Sequence, residues 1–135
     1  MKHSALTLFI FLSSTCFGAE PKVVGDINCD GKPDSAEIVK TASTVTLKVT
    51  LNDGTKANEL SFGLGQPDRQ DALCGVTPIL KDEKLADDLS DALGQNPQGY
   101  KASPHCVGLN ISDGDCDSIH VYWNHQTKML NWWRL

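Results

Sequence analysis

Apolar and polar positions alternate most sharply in TVTLKVTL. There Val45, Leu47, Val49 and Leu51 point one way and Thr44, Thr46, Lys48 and Thr50 the other. A period of two predicts a half-buried β-strand. NDGT follows with turn chemistry, Gly54 being free to take a positive φ, and ELSFGL resumes the alternation through Leu60, Phe62 and Leu64. Together these predict a β-hairpin, to which SAEIVK just upstream adds a third strand.

The pattern lapses between Gly65 and Pro78, a Gly/Pro-containing connection that carries Cys74. KDEKLADDLSDALG then changes period, placing Leu85, Ala86, Leu89, Ala92 and Leu93 on one helical face. That spacing predicts a helix capped by Asp82 and ended by Gly94, with Asp87, Asp88 and Asp91 on its solvated side. Beyond the loop QNPQGYKASPH, CVGLNI reads as a strand that turns through SDGD into SIHVYWN, and HQTK turns again into MLNWWRL. A turn centred on Gln126 and Thr127 sets Trp123 opposite Leu130 and Val121 opposite Trp132. Ile119, Val121, Trp123, Leu130 and Trp132 then form a core face, while His120, Tyr122, Asn124, Met129, Asn131 and Trp133 share the other. The expected fold is mostly β (α+β): a small, disulfide-bonded antiparallel sheet domain with one short helix.

Lys2 and His3 precede the apolar run ALTLFIFL, which is too short to span a bilayer and is followed by small residues. Residues 1–19 therefore read as a cleaved export signal and residues 20–135 as one domain. A cut after Gly18 puts small Cys16 at the minus-three position; a cut after Ala19 puts bulky Phe17 there. Lipidation at Cys16 is disfavoured by Thr15 before it. No later segment is apolar enough to be transmembrane. Loss of Lys2 moves the formal charge from −5 to −6. An acidic domain without a basic stripe argues against nucleic acid and anionic membrane surfaces as partners.

Cys29, Cys74, Cys106 and Cys116 remain after processing. In an exported chain an even set points to disulfides, with three possible connectivities. Spacings of 45, 32 and 10 residues, without a CxxC pair, do not suit zinc.

In DINCDGKPD, the side chains of Asp26, Asn28 and Asp30 are two residues apart and Gly31 follows. In a tight loop this spacing turns alternate oxygens inward, and carboxylates crowded this closely call for a cation. All-oxygen donors favour a hard ion, calcium (Ca2+) before magnesium, with the main-chain carbonyl of Lys32 as a further ligand. Turn propensity alone accounts for one or two such residues, not four at fixed spacing.

Residues 23–39, VVGDINCDGKPDSAEIV, resemble two calcium loops. In the EF-hand pattern Glu37 occupies the final acidic position. In the DxDxDG-type loop of FG-GAP repeats, found in integrin-like propellers, Asp34 occupies the ninth. The flanks favour the strand-bounded FG-GAP form, since TASTVTLKV is β-branched and Pro33 lacks a backbone donor. The resemblance implies a structural site of Asp26, Asn28, Asp30, Lys32 and Asp34, with Glu37 the doubtful member. A propeller is excluded on length, because the chain supplies about two blades at most. Cys29 stands where such loops usually carry glycine, and there it points away from the ligands and can fasten the loop to the body. A second acidic set, Asp113, Asp115 and Asp117, reads better as a hairpin turn; it lends an oxygen to the first site only if Cys29 pairs with Cys116.

Among His105, His120 and His125, none sits in a catalytic pattern, and there is no nucleophile elbow, HExxH or phosphate-cradling loop. The face of His120, Tyr122 and Trp133 is half apolar and suits a partner, and Tyr122, Trp123 and Trp133 also raise sugar stacking. The expected function is that of a periplasmic or secreted, calcium-stapled β domain that binds a protein partner in the cell envelope without catalysis. A narrower alternative is an inhibitor or immunity protein against a cell-wall hydrolase or effector, with GQNPQGYKASPH or SDGDCD entering a cleft. Another class is a cell-wall or glycan-processing enzyme built on Asp and His120.

Overall fold

A computed structural model describes residues 21–135, so the segment expected to be an export signal, with its expected cleavage site and Cys16, lies outside the described residues. Strands β1 (Val23–Gly25), β2 (Asp34–Lys40), β3 (Thr44–Thr50) and β4 (Leu60–Gly63) form one antiparallel sheet in chain order. Strands β5 (Ile79–Leu85), β6 (Ser103–Ser112), β7 (Ile119–Asn124) and β8 (Met129–Trp133) form a second, also in chain order. Among the described residues no strand crosses between the two meanders. The only regular helix among the described residues is the single turn α1 (Ser90–Leu93).

Period-two patterning drives the inner faces together. Val45, Leu47 and Val49 of β3 and Ile38 of β2 are buried against Leu109 and Ile111 of β6 and Ile119 and Val121 of β7 in one apolar cluster. Each such side chain contributes on the order of 1.5–3 kcal/mol when withdrawn from water. Phe62 of β4 meets the ring of Trp132 edge-on at 5.5 Å, and Asn58 clamps Leu130 through both its main-chain N–H and its C=O. The hairpin registers follow the side-chain alternation: Val45 lies opposite Phe62, Val121 opposite Trp132 and Trp123 opposite Leu130.

The helix expected over residues 81–94 is corrected. Its first half is strand β5, paired with β6 from Ile79–Ser112 to Lys84–Val107. Pairing with a partner distant in sequence overrides the helical propensity of KDEKL. β5 is an edge strand, and its run of charges at residues 81–84 suits an edge that faces water. Only the end survives as helix, and Gly94 does close it, at φ +78 with its N–H on the Ser90 carbonyl. Asp82 does not cap it, and Ala92 is exposed rather than packed.

Two cysteine pairs stand at disulfide distance: Cys29–Cys106 with Cα atoms 5.3 Å apart and Cys74–Cys116 at 5.8 Å. Both are compatible with an oxidising compartment. No helix among the described residues is long and apolar enough to cross a membrane.

Candidate functional site

The two sheets differ on the faces turned away from the core. On the first, Thr46 bonds Ser61, Lys48 pairs with Glu59 and Lys22 with Glu37, a solvated surface on which Val24 and Val39 also stand exposed. The second carries Tyr122, Leu85 and Cys106, all buried, with Cys29, Tyr100 and Trp133 packed against them. A sheet face with its own apolar cluster needs a cover. The chain supplies part of one: residues 86–102 fold back over this face.

That loop is fastened at several points. The Tyr122 hydroxyl and the Asn124 amide both donate to the Gln98 carbonyl, at 2.9 and 3.0 Å. His125 N–H donates to the Gly99 carbonyl, and the Tyr100 hydroxyl to that of Ala86. Gly99 makes the close approach possible. At φ +69, a β-carbon there would lie 1.8 Å from Asn124 Oδ1. The loop expected to enter a partner's cleft is therefore held as a wall against its own sheet.

Between wall and sheet lies a cleft of ≈ 190 Å³, lined by Glu83, Leu85, Tyr100, His120, Tyr122 and Trp133 among others. An adjoining hollow of ≈ 510 Å³ shares Glu83–Ala86 with it and runs past Asp82, Asp87 and His105. His120, Tyr122 and Trp133 do gather here as the alternation predicts. His120 stacks on Trp133 with centroids 3.9 Å apart and planes 9° from parallel. Its Nδ1 lies 2.9 and 3.0 Å from the two carboxylate oxygens of Glu83, and Asn110 donates to the same carboxylate. Tyr100 meets Tyr122 edge-on at 5.5 Å. Trp123 points into the core, so the sugar-stacking set loses that member.

Glu83, Tyr100 and Gly108 escape a sequence reading of this site. Glu83 falls within the helix expected there, and Tyr100 within a loop. Gly108 carried a signal as a glycine inside a strand pattern. A β-carbon there would sit 2.9 Å from Leu85 and 3.3 Å from Glu83, so its absence lets both settle across β6.

The acidic loop lies between β1 and β2. Cys29 and Gly31 both take the left-handed backbone, at φ +61 and +85. Cys29 thus holds a glycine-like conformation with a β-carbon in place, fixed through its bond to Cys106. Ile27 plugs the core at 1% exposure, and Val107 N–H donates to the Asp26 carbonyl. Asp26 accepts from the N–H groups of Asp30 and Gly31, Asn28 Oδ1 from Asp30 N–H, and Asp30 from Lys32 N–H and the amides of Asn28 and Asn52. Desolvation opposes ionisation of Asp30, yet the hydrogen bonds from Asn52, Lys32 N–H and Asn28, with the Lys32 charge, hold its carboxyl below the usual value.

Asp34 is buried at 2% exposure, and its oxygens accept from the N–H groups of Ile27, Asn28 and Asn52. Glu37 lies on the other side of β2 and pairs with Lys22, away from the loop. Asp113 anchors the β6–β7 hairpin turn by accepting from Gly75, Asp115 and Cys116 N–H. With Cys116 bonded to Cys74, the condition for that turn to reach the first loop is not met. For a divalent ion the donor set has the right chemistry, all oxygen. In this geometry, though, the oxygens rest on amide donors, and no three His, Cys, Asp or Glu side chains among the described residues converge on one point.

The sequence matches no protein-family model and no curated protein, and the fold matches no solved structure.

Proposed function

We propose that this protein is an exported, non-catalytic binding domain of the cell envelope whose working surface is the outer face of the second sheet. One observation carries the reading: that face buries its own aromatic cluster under a fastened loop and leaves a preformed cleft, whereas the first sheet is plainly solvated outside. Preorganised walls lower the ordering cost of association. The narrower inhibitor or immunity role belongs to the same surface, with the loop of Gln98–Tyr100 as a rigid wall rather than an inserted finger. A catalytic reading rests on His120 and Glu83 alone, and the hydroxyls of Tyr100 and Tyr122 are both engaged on backbone carbonyls.

The acidic loop, whose Cys29 packs against the same cluster, is a structural calcium staple held by Asp26, Asn28, Asp30, the Lys32 carbonyl and Asp34. Its left-handed turns at Cys29 and Gly31 and its all-oxygen donors support that role, and the Asp26 and Asp30 carboxylates keep lone pairs beyond those taken by their amide partners. When bound, the ion neutralises the carboxylates and stiffens the segment tied to Cys106.

The test is affinity capture from an envelope extract with the mature protein, its Trp133→Ala variant and a Lys48→Glu variant of the opposite sheet. The expected result is a stoichiometric partner lost with Trp133→Ala and kept with Lys48→Glu. Loss with Lys48→Glu and retention with Trp133→Ala overturns the assignment of the surface.

A further inference from the structure

The geometry points to a cationic side chain, an arginine or lysine presented by a protein partner, as the occupant of the cleft beside Glu83, Tyr100 and Trp133. This deepens the binding role proposed above and rests on it. Three features of the site select that chemistry.

The first is size. At ≈ 190 Å³ the cleft itself holds one inserted side chain, and the adjoining hollow of ≈ 510 Å³ leaves room for the segment that carries it. The second is the wall material. Tyr100 and Trp133 present ring surface over buried Tyr122, and an aromatic wall next to a carboxylate is how proteins hold an ammonium or guanidinium group. His120 already covers one face of Trp133, showing that the ring accepts a planar nitrogen group in parallel stacking.

The third is charge. The cleft and the hollow that joins it carry Asp82, Glu83 and Asp87 against a single ammonium, that of Lys84. Among the described residues neither Asp82 nor Asp87 is in an ion pair. The field is felt locally: burial pushes the Tyr100 phenol up, and Glu83 and Asp87 push it further. The whole chain carries a formal charge of −5, so a basic partner is also steered toward it.

An arginine head can lie against the aromatic wall while its donors reach Glu83 Oε1 or the rim carboxylates, a match that a neutral side chain lacks. Glu83 is oriented for this by Asn110 and by His120 Nδ1, which keeps its carboxylate turned toward the outer face.

The experiment is a nuclear magnetic resonance titration of the oxidised mature protein with N-acetyl-arginine methylamide. N-acetyl-citrulline methylamide serves as the neutral isostere, and a chitin oligosaccharide as the glycan probe. The expected result is that the arginine probe moves the Trp133 indole and Tyr100 amide signals but not the indole of core Trp123. Added salt should weaken the effect. Citrulline should bind at least about threefold more weakly, as should the arginine probe with the Tyr100→Leu or Asp87→Asn variant. Asp87 is exposed on the rim, so its variant keeps the test open if Tyr100→Leu fails to fold.

Equal shifts with citrulline overturn the proposal, since charge then plays no part. Shifts with the glycan and none with arginine overturn it while leaving the binding surface in place. If no probe moves this face and the capture experiment shows no dependence on Trp133, both readings fall.

Discussion

Cys29 and Cys106 stand 77 residues apart in the chain and join the acidic loop of the first sheet to the buried outer-face cluster of the second, at the wall of the hollow beside the cleft. The bond does more than shorten the unfolded chain. It places Cys106 beside Leu85 and Tyr122, so the loop between β1 and β2 is tied covalently to the outer face of β6.

In the chain-entropy account, a closed loop of this length stabilises by about 4–5 kcal/mol, and the Cys74–Cys116 loop of 42 residues by roughly 0.5 kcal/mol less. Replacing Cys29 and Cys106 by alanine should therefore lower the urea midpoint more than replacing Cys74 and Cys116. Cys29→Gly with Cys106→Ala should recover about 1 kcal/mol relative to the double alanine variant, because residue 29 sits at φ +61. Equal midpoints for those last two variants would show that the left-handed backbone relaxes once the bond is gone.

Gly99→Ala meets two obstacles, φ +69 and the carboxamide of Asn124, and should cost at least about 2 kcal/mol. Gly114→Ala is the control: its φ is +82 but nothing lies within 4 Å, so only the backbone term of about 1 kcal/mol applies. Similar losses in thermal unfolding for the two would remove the loop-against-sheet contact from the account.

Asp34→Ala leaves the N–H groups of Ile27, Asn28 and Asn52 without their acceptor in a buried setting, and a loss of about 2–4 kcal/mol is expected. Asp34→Asn should be intermediate, since one carboxamide oxygen serves some of these donors while its NH2 opposes the rest. Denaturant titration measures both; a loss below about 0.5 kcal/mol for the alanine variant would show that water replaces the carboxylate.

Acid should weaken the β6–β7 turn. Desolvation raises the Asp113 carboxyl, but the N–H groups of Gly75, Asp115 and Cys116 outweigh it and leave the value below 3.8. A lowered folded-state value means the contribution is complete above the unfolded value and is lost as pH falls through the folded one. The melting temperature of Asp113→Asn should accordingly fall less steeply than that of the parent below pH 3.8. Parallel curves would assign the acid sensitivity to other carboxylates.

Calcium tenfold above its dissociation constant should stabilise by about 1.4 kcal/mol. For a domain of this size that is on the order of 5 °C in melting temperature. A chelator should remove the gain and Asp30→Ala should abolish it. A melting curve indifferent to both calcium and chelator would leave amide donors alone to neutralise the loop.

What could be read from the sequence follows from how local each signal is. The β7–β8 register was legible because Val121, Trp123, Leu130 and Trp132 alternate on either side of a short turn, whereas for β3–β4 the alternation gave the hairpin but not its offset, which shifts by one residue between the Thr50–Lys56 bridge and the Leu47–Leu60 pair. β5 was not, because Lys81, Asp82, Glu83 and Lys84 show no alternation and the partner strand begins at Ser103. The same blind spot hid half of the cleft. His120, Tyr122 and Trp133 share a face by period alone, whereas Glu83 and Tyr100 arrive from an edge strand and a folded-back loop. Ile27 is a smaller lesson: one apolar residue among acids marks where the loop turns into the core.

Two consecutive meanders without an exchanged strand have a practical corollary in the exposed stretch around Arg69, which separates them. Trypsin cutting there produces fragments whose sheets are each intact and whose covalent tie through Cys29 and Cys106 spans the break. The nicked molecule should migrate as one species in electrophoresis until thiol is added, then as two.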